Sequence, residues 1–215
     1  MNRRPIRVIA HRGAHEAHPQ NSLAAYNAAI ALGCDFIEVD LRTAPDGRLL
    51  IKHDPLIKHD DYDRLPSFDD VLDTAKGRIR IYLDVKQAMP ASIVAVVEKH
   101  RMTDSILTYA SQALLRELVQ LRPGWPCMPE ASTPEVLRDN LRTLKPPAVA
   151  FSDWNFKPEQ IALAQAAGCE IFLDRQGKTD FPEFWQAAID MGATGIQTDR
   201  PTALLAFLRA AQLHA

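Results

Sequence analysis

Cysteine is scarce in this 215-residue chain: Cys34, Cys127 and Cys169 are the three copies, and they lie far apart. An odd number with no CxxC spacing argues against a disulfide framework or a thiolate zinc site. Three small buried hydrophobes in a reducing compartment are expected instead. Charge of one sign is also missing: 25 Lys+Arg face 27 Asp+Glu, for a formal net charge of −2. That balance argues against nucleic-acid binding by bulk positive charge, although it leaves room for a local basic pocket. No run of about 18 apolar residues occurs, so no transmembrane helix and no stable membrane insertion are expected. Met1 to Ala10 holds arginines but neither a long apolar run nor a small-residue cleavage site. A signal peptide is therefore not expected, and the cytoplasm is the default location. There is no GxGxxG and no P-loop to support a nucleotide fold.

What is present is an ordinary globular composition, 47% hydrophobic and 24% charged, long enough to bury one large core. Short β-type runs alternate with amphipathic helical runs. Strands are expected at Val8–Ala10, Phe36–Leu41, Arg80–Val85, Ile106–Thr108, a weak run near Pro126–Pro129, Ala148–Phe151, Ile171–Leu173 and Gly195–Thr198. Asp46-Gly47 reads as a tight turn into an extra extended run, Leu49–Lys52. The first helix, Ser22 to Leu32, carries Leu23, Tyr26 and Ile30 on one face and stops at Gly33. Seven more helices follow, the last over Thr202–Gln212. Eight β/α units predict parallel strands with helical crossovers, closed as a compact single-domain (β/α)8 TIM barrel over residues 1–215. A doubly wound open sheet is the alternative, because the count turns on the weak fifth strand.

Barrels of this kind carry their chemistry at the C-terminal ends of the strands. The first strand runs out at His11-Arg12-Gly13, the second carries Glu38 and Asp40, the run after Gly47 reaches His53-Asp54, and the third barrel strand carries Asp84 and Lys86. Strand alternation puts Glu38 and Asp40 on one face and Ile37, Val39 and Leu41 on the other. Two carboxylates about 4 Å apart repel by roughly 4 kcal/mol at an effective dielectric near 20. Protonation, a basic partner or a bound cation relieves this. With Asp84 as a third carboxylate, a hard ion such as Mg²⁺ or Ca²⁺ suits the oxygens better than zinc. The bland reading pairs Glu38 and Asp40 with Arg42 or Lys86 and Arg12 with Glu38 or Asp84, with no metal.

His11 and His53 titrate near neutrality and suit an acid/base pair, although a lone histidine after a strand is more often structural. Arg12 and Lys86 offer positive charge to a phosphate or carboxylate. His15, His18, His59, His100 and His214 read as surface or loop residues, with His15 and His18 able to line the mouth. Trp154 reads equally as a substrate wall or as core packing. Glu130 reads as a helix N-terminal acid or surface charge rather than a supporting site residue.

An ordered set of motifs runs along the chain: Ile9-Ala10-His11-Arg12-Gly13, Pro19-Gln20-Asn21-Ser22, Phe36-Ile37-Glu38-Val39-Asp40, Thr43, Asp46-Gly47, His53-Asp54, Leu83-Asp84-Val85-Lys86 and Gly192 to Pro201. Together these resemble the glycerophosphodiester phosphodiesterase family. The resemblance implies a TIM barrel and hydrolysis of glycerophosphodiesters to glycerol 3-phosphate and an alcohol. It also implies a divalent cation on Glu38, Asp40 and Asp84, with Mg²⁺, Ca²⁺ or Mn²⁺ as candidates. His11 and His53 become the catalytic pair, with Arg12 and Lys86 near the phosphate of a small-molecule diester. Departures from the family pattern are Gln20 for a usual Glu, Ser22 for Thr, Asp84 for a frequent Glu, and a short stretch between His53 and Asp84. Three rival readings use the same residues: a phospholipase D-like lyase that forms a cyclic phosphate from lysophospholipids or sphingolipids, a Schiff-base aldolase built on Lys86, and a non-catalytic phosphate-binding barrel.

Overall fold

The computed structural model describes residues 5–57 and 61–214, so His59 lies outside it. Among these residues the strands are β1 (Arg7–Ala10), β2 (Phe36–Thr43), β3 (Leu49–Ile51), β4 (Arg80–Gln87), β5 (Ile106–Tyr109), β6 (Ala148–Phe151), β7 (Glu170–Arg175) and β8 (Gly195–Thr198). They order as β5-β4-β2-β1-β8-β7-β6, all parallel, with β3 folded back antiparallel on β2.

The gap between β5 and β6 is spanned by residues 126–131. Thr108 N–H donates to the Pro126 carbonyl (2.8 Å) and Met128 N–H to the Thr108 carbonyl (2.7 Å). On the other side Ala150 N–H donates to Pro129 (3.0 Å) and Ala131 N–H to Ala150 (2.9 Å). The weak fifth run is therefore the stave that joins the two sheet edges, and the open-sheet alternative falls. It remains a pair of isolated bridges rather than a ladder, because Pro126 and Pro129 have no N–H to give.

The helices are α1 (Leu23–Leu32), α2 (Phe68–Ala75), α3 (Pro90–His100), α4 (Gln112–Leu121), α5 (Pro134–Leu144), α6 (Pro158–Ala166), α7 (Pro182–Met191) and α8 (Pro201–Ala210). Each starts on a Ser or Thr whose hydroxyl accepts a first-turn N–H, or on a proline already fixed at helical φ, and α5 has both. The expected Leu23-Tyr26-Ile30 stripe does pack on the core, with Tyr26 buried and Leu23 and Ile30 partly so, but the residues buried beside Tyr26 are Ala25 and Ala29. Small residues are needed there because the turn after β1 presses on the helix. Gly13 adopts φ +83°, and a Cβ on it would meet the Ala25 backbone at 2.8 Å.

Strand alternation divides the core in two. Ile37, Val39 and Leu41 face the helices, among Tyr26, Phe68 and Val71. Ile9, Phe36, Tyr82, Leu107, Met128 and Phe172 form a separate plug inside the barrel. Gly195 completes that layer, since a Cβ would lie 2.6 Å from the Phe172 ring. Two residues further along each strand the inward position turns polar: His11, Glu38, Asp84, Tyr109, Glu130, Asp174 and Gln197. The apolar plug is thus the floor of a polar mouth.

Several side chains depart from expectation. His100 is buried, not a surface residue: Nδ1 bonds Asp73 (2.9 Å) and Nε2 bonds Asp69 (2.7 Å), tying α3 to α2. His214 is largely covered and bonds Asp35 at 3.0 Å. Trp154 packs in no core and is 55% exposed in the loop after β6. Cys34, Cys127 and Cys169 are free and buried, as expected; burial pushes the Cys34 and Cys127 thiols up to about 12, which leaves them inert. No helix among the described residues is long and apolar enough to cross a membrane.

Candidate active site

Three strand ends build the acidic centre. β2 and β4 are paired in register with Asp40 opposite Asp84, and Glu38 stands two residues below Asp40 on the same face. One oxygen from each of Glu38, Asp40 and Asp84 lies within 4.8 Å of the others. Glu38 and Asp40 are 2% and 1% exposed. Desolvation, with the charges of Asp40 and Asp84, raises the Glu38 carboxyl well above its ordinary value. Asp84 is raised mainly by burial, against the pull of Lys86.

Cations reach this centre from both sides. Lys86 Nζ sits 2.7 Å from Asp84 and 3.2 Å from Asp40. Arg12 Nε lies 3.2 Å from Asp40 Oδ2, and the Arg12 N–H donates to Glu38 Oε2 at 2.8 Å. Arg12 takes φ 53°, a left-handed conformation uncommon for a residue with a side chain. Arg42, offered in sequence as a partner of the carboxylates, donates instead to the Lys52 and His53 carbonyls. Of the ion pairs in the bland reading, Lys86 with Asp40 is present, whereas the Arg12 guanidinium pairs with Asp40 rather than with Glu38 or Asp84, so the pairing is incomplete. Three carboxylates face two cations, and Glu38 has no cationic side chain within ion-pair distance among the described residues. Asp40 Oδ1 and Arg12 Nε are buried and make no hydrogen bond. An all-oxygen set in which three carboxylates outnumber two cations, and in which Asp40 Oδ1 is met only by the Lys86 ammonium at 3.2 Å, fits a hard dication.

Asn21, quoted in a motif without a role, is a supporting residue that sequence reasoning missed. Its Nδ2 donates to Asp40 Oδ2 (2.7 Å), and Tyr26 OH donates to its Oδ1 (2.9 Å). Like Arg12 it has a positive φ, 54°. Gln20 accepts from Arg12 Nη1 at 2.9 Å, so the neutral amide still steadies the guanidinium.

Each candidate histidine has a carboxylate on Nδ1. His11 Nδ1 donates to Asp199 Oδ1 at 2.6 Å, and His53 Nδ1 donates to Asp54 Oδ1 at 2.9 Å. A proton on Nδ1 leaves Nε2 as the working nitrogen. His11 is largely enclosed, whereas the His53 side chain is 44% exposed on the run after β3. Asp199 is itself fixed: its N–H donates to Asp180 Oδ2 (2.9 Å), and buried Asp180 also accepts from Thr198 and Trp185. Burial alone would raise Asp199, but bonds from His11 and His15 hold it well below the usual carboxylate range. His15, read as a loop residue, bonds the same Asp199 oxygen at 3.2 Å.

A cleft of about 360 Å³ opens beside Asp84, lined by Tyr109, Ser111, Glu130, Ser132 and Asn140. Glu130 faces this cleft, contrary to its reading as a surface acid, and burial raises its carboxyl. Its distance in sequence from the motifs gave no sign of this. Asp174 on β7 feels the charges of Asp84 and Glu130, but burial is the larger effect and raises it to about 7. Burial favours the neutral amine of Lys86, but Asp84 and Asp40 outweigh it and hold the amine above its ordinary value. The group is an ammonium, not the free nucleophile a Schiff-base aldolase needs.

Residues 11–82 match the profile described as the Glycerophosphoryl diester phosphodiesterase family. A probable glycerophosphodiester phosphodiesterase 1 of Mycobacterium tuberculosis is 49% identical over 47 residues, 22% of this chain and 17% of its own length. Over the whole fold, a glycerophosphodiester phosphodiesterase from Agrobacterium tumefaciens superposes with a TM-score of 0.78 at 23% identity, covering 94% of this chain and 99% of that one. An Oleispira antarctica phosphodiesterase solved with the product sn-glycerol-3-phosphate superposes at 0.81 with 18% identity, covering 95% and 97%.

Proposed function

We propose that this chain, whose residues 11–82 match the glycerophosphodiester phosphodiesterase family and 94% of which superposes on a solved structure of that name, is a metal-dependent phosphodiester hydrolase. Its substrates are glycerophosphodiesters, cleaved to glycerol 3-phosphate and an alcohol, and a relative of the same fold was solved with that product. The observation that carries the reading is the convergence of Glu38, Asp40 and Asp84 with two carboxylate-held histidines on one barrel mouth.

Glu38, Asp40 and Asp84 would hold the dication, with Mg²⁺, Ca²⁺ and Mn²⁺ all suited to oxygen donors. When bound, it supplies Lewis-acid stabilisation of charge on phosphorus and eases deprotonation of the attacking hydroxyl or water. The rest falls to the chain's own residues. Arg12 and Lys86, anchored on Asp40 and Asp84, present positive charge to the phosphate oxygens. One of His11 and His53 takes the nucleophile's proton at Nε2, while the other protonates the leaving oxygen. Asp199 and Asp54 fix the two tautomers and stabilise whichever imidazolium forms. The cleft beside Asp84 receives the departing alcohol. A cytoplasmic setting belongs to the same proposal and is in keeping with three unpaired cysteines.

The test is a panel of glycerophosphodiesters assayed with chelator and with each dication, the product being read by phosphorus NMR. Metal-dependent release of a monoester is expected. Metal-independent turnover overturns the ligand assignment, a persistent cyclic phosphate overturns hydrolysis, and binding without turnover at any metal concentration overturns the activity.

A further inference from the structure

His15 has no part in the chemistry above, yet it is aimed at the centre of it. Its Nε2 and His11 Nδ1 converge on one atom, Asp199 Oδ1, at 3.2 and 2.6 Å. The rings meet edge to face, with centroids 6.3 Å apart, and one ligating atom from each of the three residues lies within 4.8 Å of the others. The Asp199 main chain is held from behind by its N–H bond to Asp180. Two imidazole nitrogens and one carboxylate oxygen form a donor set unlike the all-oxygen centre on β2 and β4. Such a set suits a borderline ion of the zinc class rather than Mg²⁺ or Ca²⁺. Neighbouring ligands of a tetrahedral zinc lie about 3.3 Å apart, given bonds near 2.0–2.1 Å. The His15–Asp199 separation already fits, and the shorter His11 contact, 2.6 Å, must open by about 0.7 Å.

We propose that His11, His15 and Asp199 form a second cation site, selective for a borderline transition-metal dication. Binding draws on the lone pair of His11 Nδ1, so the proton carried there moves to Nε2. The imidazole then has an N–H where it needs an acceptor and can no longer take the nucleophile's proton. The site is thus inhibitory, a consequence that rests on the acid/base reading of His11.

Co²⁺ is the spectroscopic probe, titrated into protein saturated with Mg²⁺. The expected result is a visible absorption of nitrogen-ligated, low-coordinate cobalt in the wild type that is lost in both His15→Ala and His15→Gln. In parallel, Zn²⁺ should inhibit diester turnover at saturating Mg²⁺, with each variant at least ~10-fold less sensitive. Thermal melting of the two variants checks that they fold, and the glutamine keeps a polar partner for Asp199 if the alanine does not. No such absorption in the wild type, or the same absorption and zinc sensitivity in a folded variant, overturns the site. The absorption needs no turnover: a His15-dependent band on a protein that hydrolyses no diester supports the site and sinks the hydrolase reading instead.

Discussion

At the scale of single residues, the site is a set of charges whose states depend on burial. His11→Ala and His53→Ala should each lower diester turnover by ~10²-fold or more, because each removes a group proposed to transfer a proton; steady-state kinetics at saturating metal checks this, and near-wild-type turnover in either variant removes that histidine from the mechanism. Asp174 gives a separate test through stability. In metal-free protein its folded carboxyl is raised to about 7 from an ordinary 3.8, chiefly by burial. The folded chain therefore binds this proton more tightly than the unfolded chain. The stabilisation is complete below about pH 4 and is lost as pH rises through about 7. Urea midpoints of the metal-free wild type should fall between about pH 5 and about pH 8, and Asp174→Asn should shrink that fall. An unchanged difference in the variant would mean the carboxyl is not protonated in the folded state. The acids and histidines of β1 to β4 were legible in sequence because they cluster within short motifs. Glu130, Asp174 and Asp180 were not, since each comes from a strand or loop whose sequence carries no local sign of what lies across the barrel.

At the scale of elements, the start of each helix and the turn after β1 fix where the site residues stand. Ser67 and Asp70 form a reciprocal cap on α2, each side chain meeting the other's backbone N–H. Ser67→Ala should cost about 1 kcal/mol, measured by urea denaturation, with little effect on turnover because the cap is remote from the carboxylates. Gly13 is a sharper case. Alanine there must hold φ +83° and push its Cβ into Ala25. Gly13→Ala should therefore destabilise the fold by more than ~1 kcal/mol and also displace Arg12, whose N–H sits on Glu38. Stability and turnover falling together are expected, whereas stability falling alone would separate Arg12 from the site. The period of each element was readable in the chain, and the large residues of α1 do pack on the core, but its closest contact was not readable. Periodicity favours large residues, and only the approach of the β1 turn makes Ala25 the contact.

At the scale of the whole molecule, the barrel brings together charges that cannot be comfortable alone. A cation that binds only the folded chain must stabilise it: at about 100 times its dissociation constant, Mg²⁺ should add roughly 2.7 kcal/mol. Thermal melts with and without chelator check this. Asp40→Asn should abolish the increment if Asp40 is the buried ligand proposed beside Glu38 and Asp84, and an undiminished increment would place the ion elsewhere. Closure itself rests on the four backbone bonds of residues 126–131. That stretch is nearly invisible to propensity because of its prolines, and the neighbouring strand edges hold it in extended form.

The sequence by itself determined the alternation of strands and helices, the inward face of Glu38 and Asp40, and the order of the motifs, because a two-residue period and helix-start chemistry are local properties of a chain. Tertiary structure alone decided that Asp40 stands level with Asp84, that Asn21 and Asp199 hold site residues separated from them by 19 and 188 positions, and that His15 shares an oxygen with His11. Those relations follow from strand register and barrel closure, which are set by packing between segments distant in sequence.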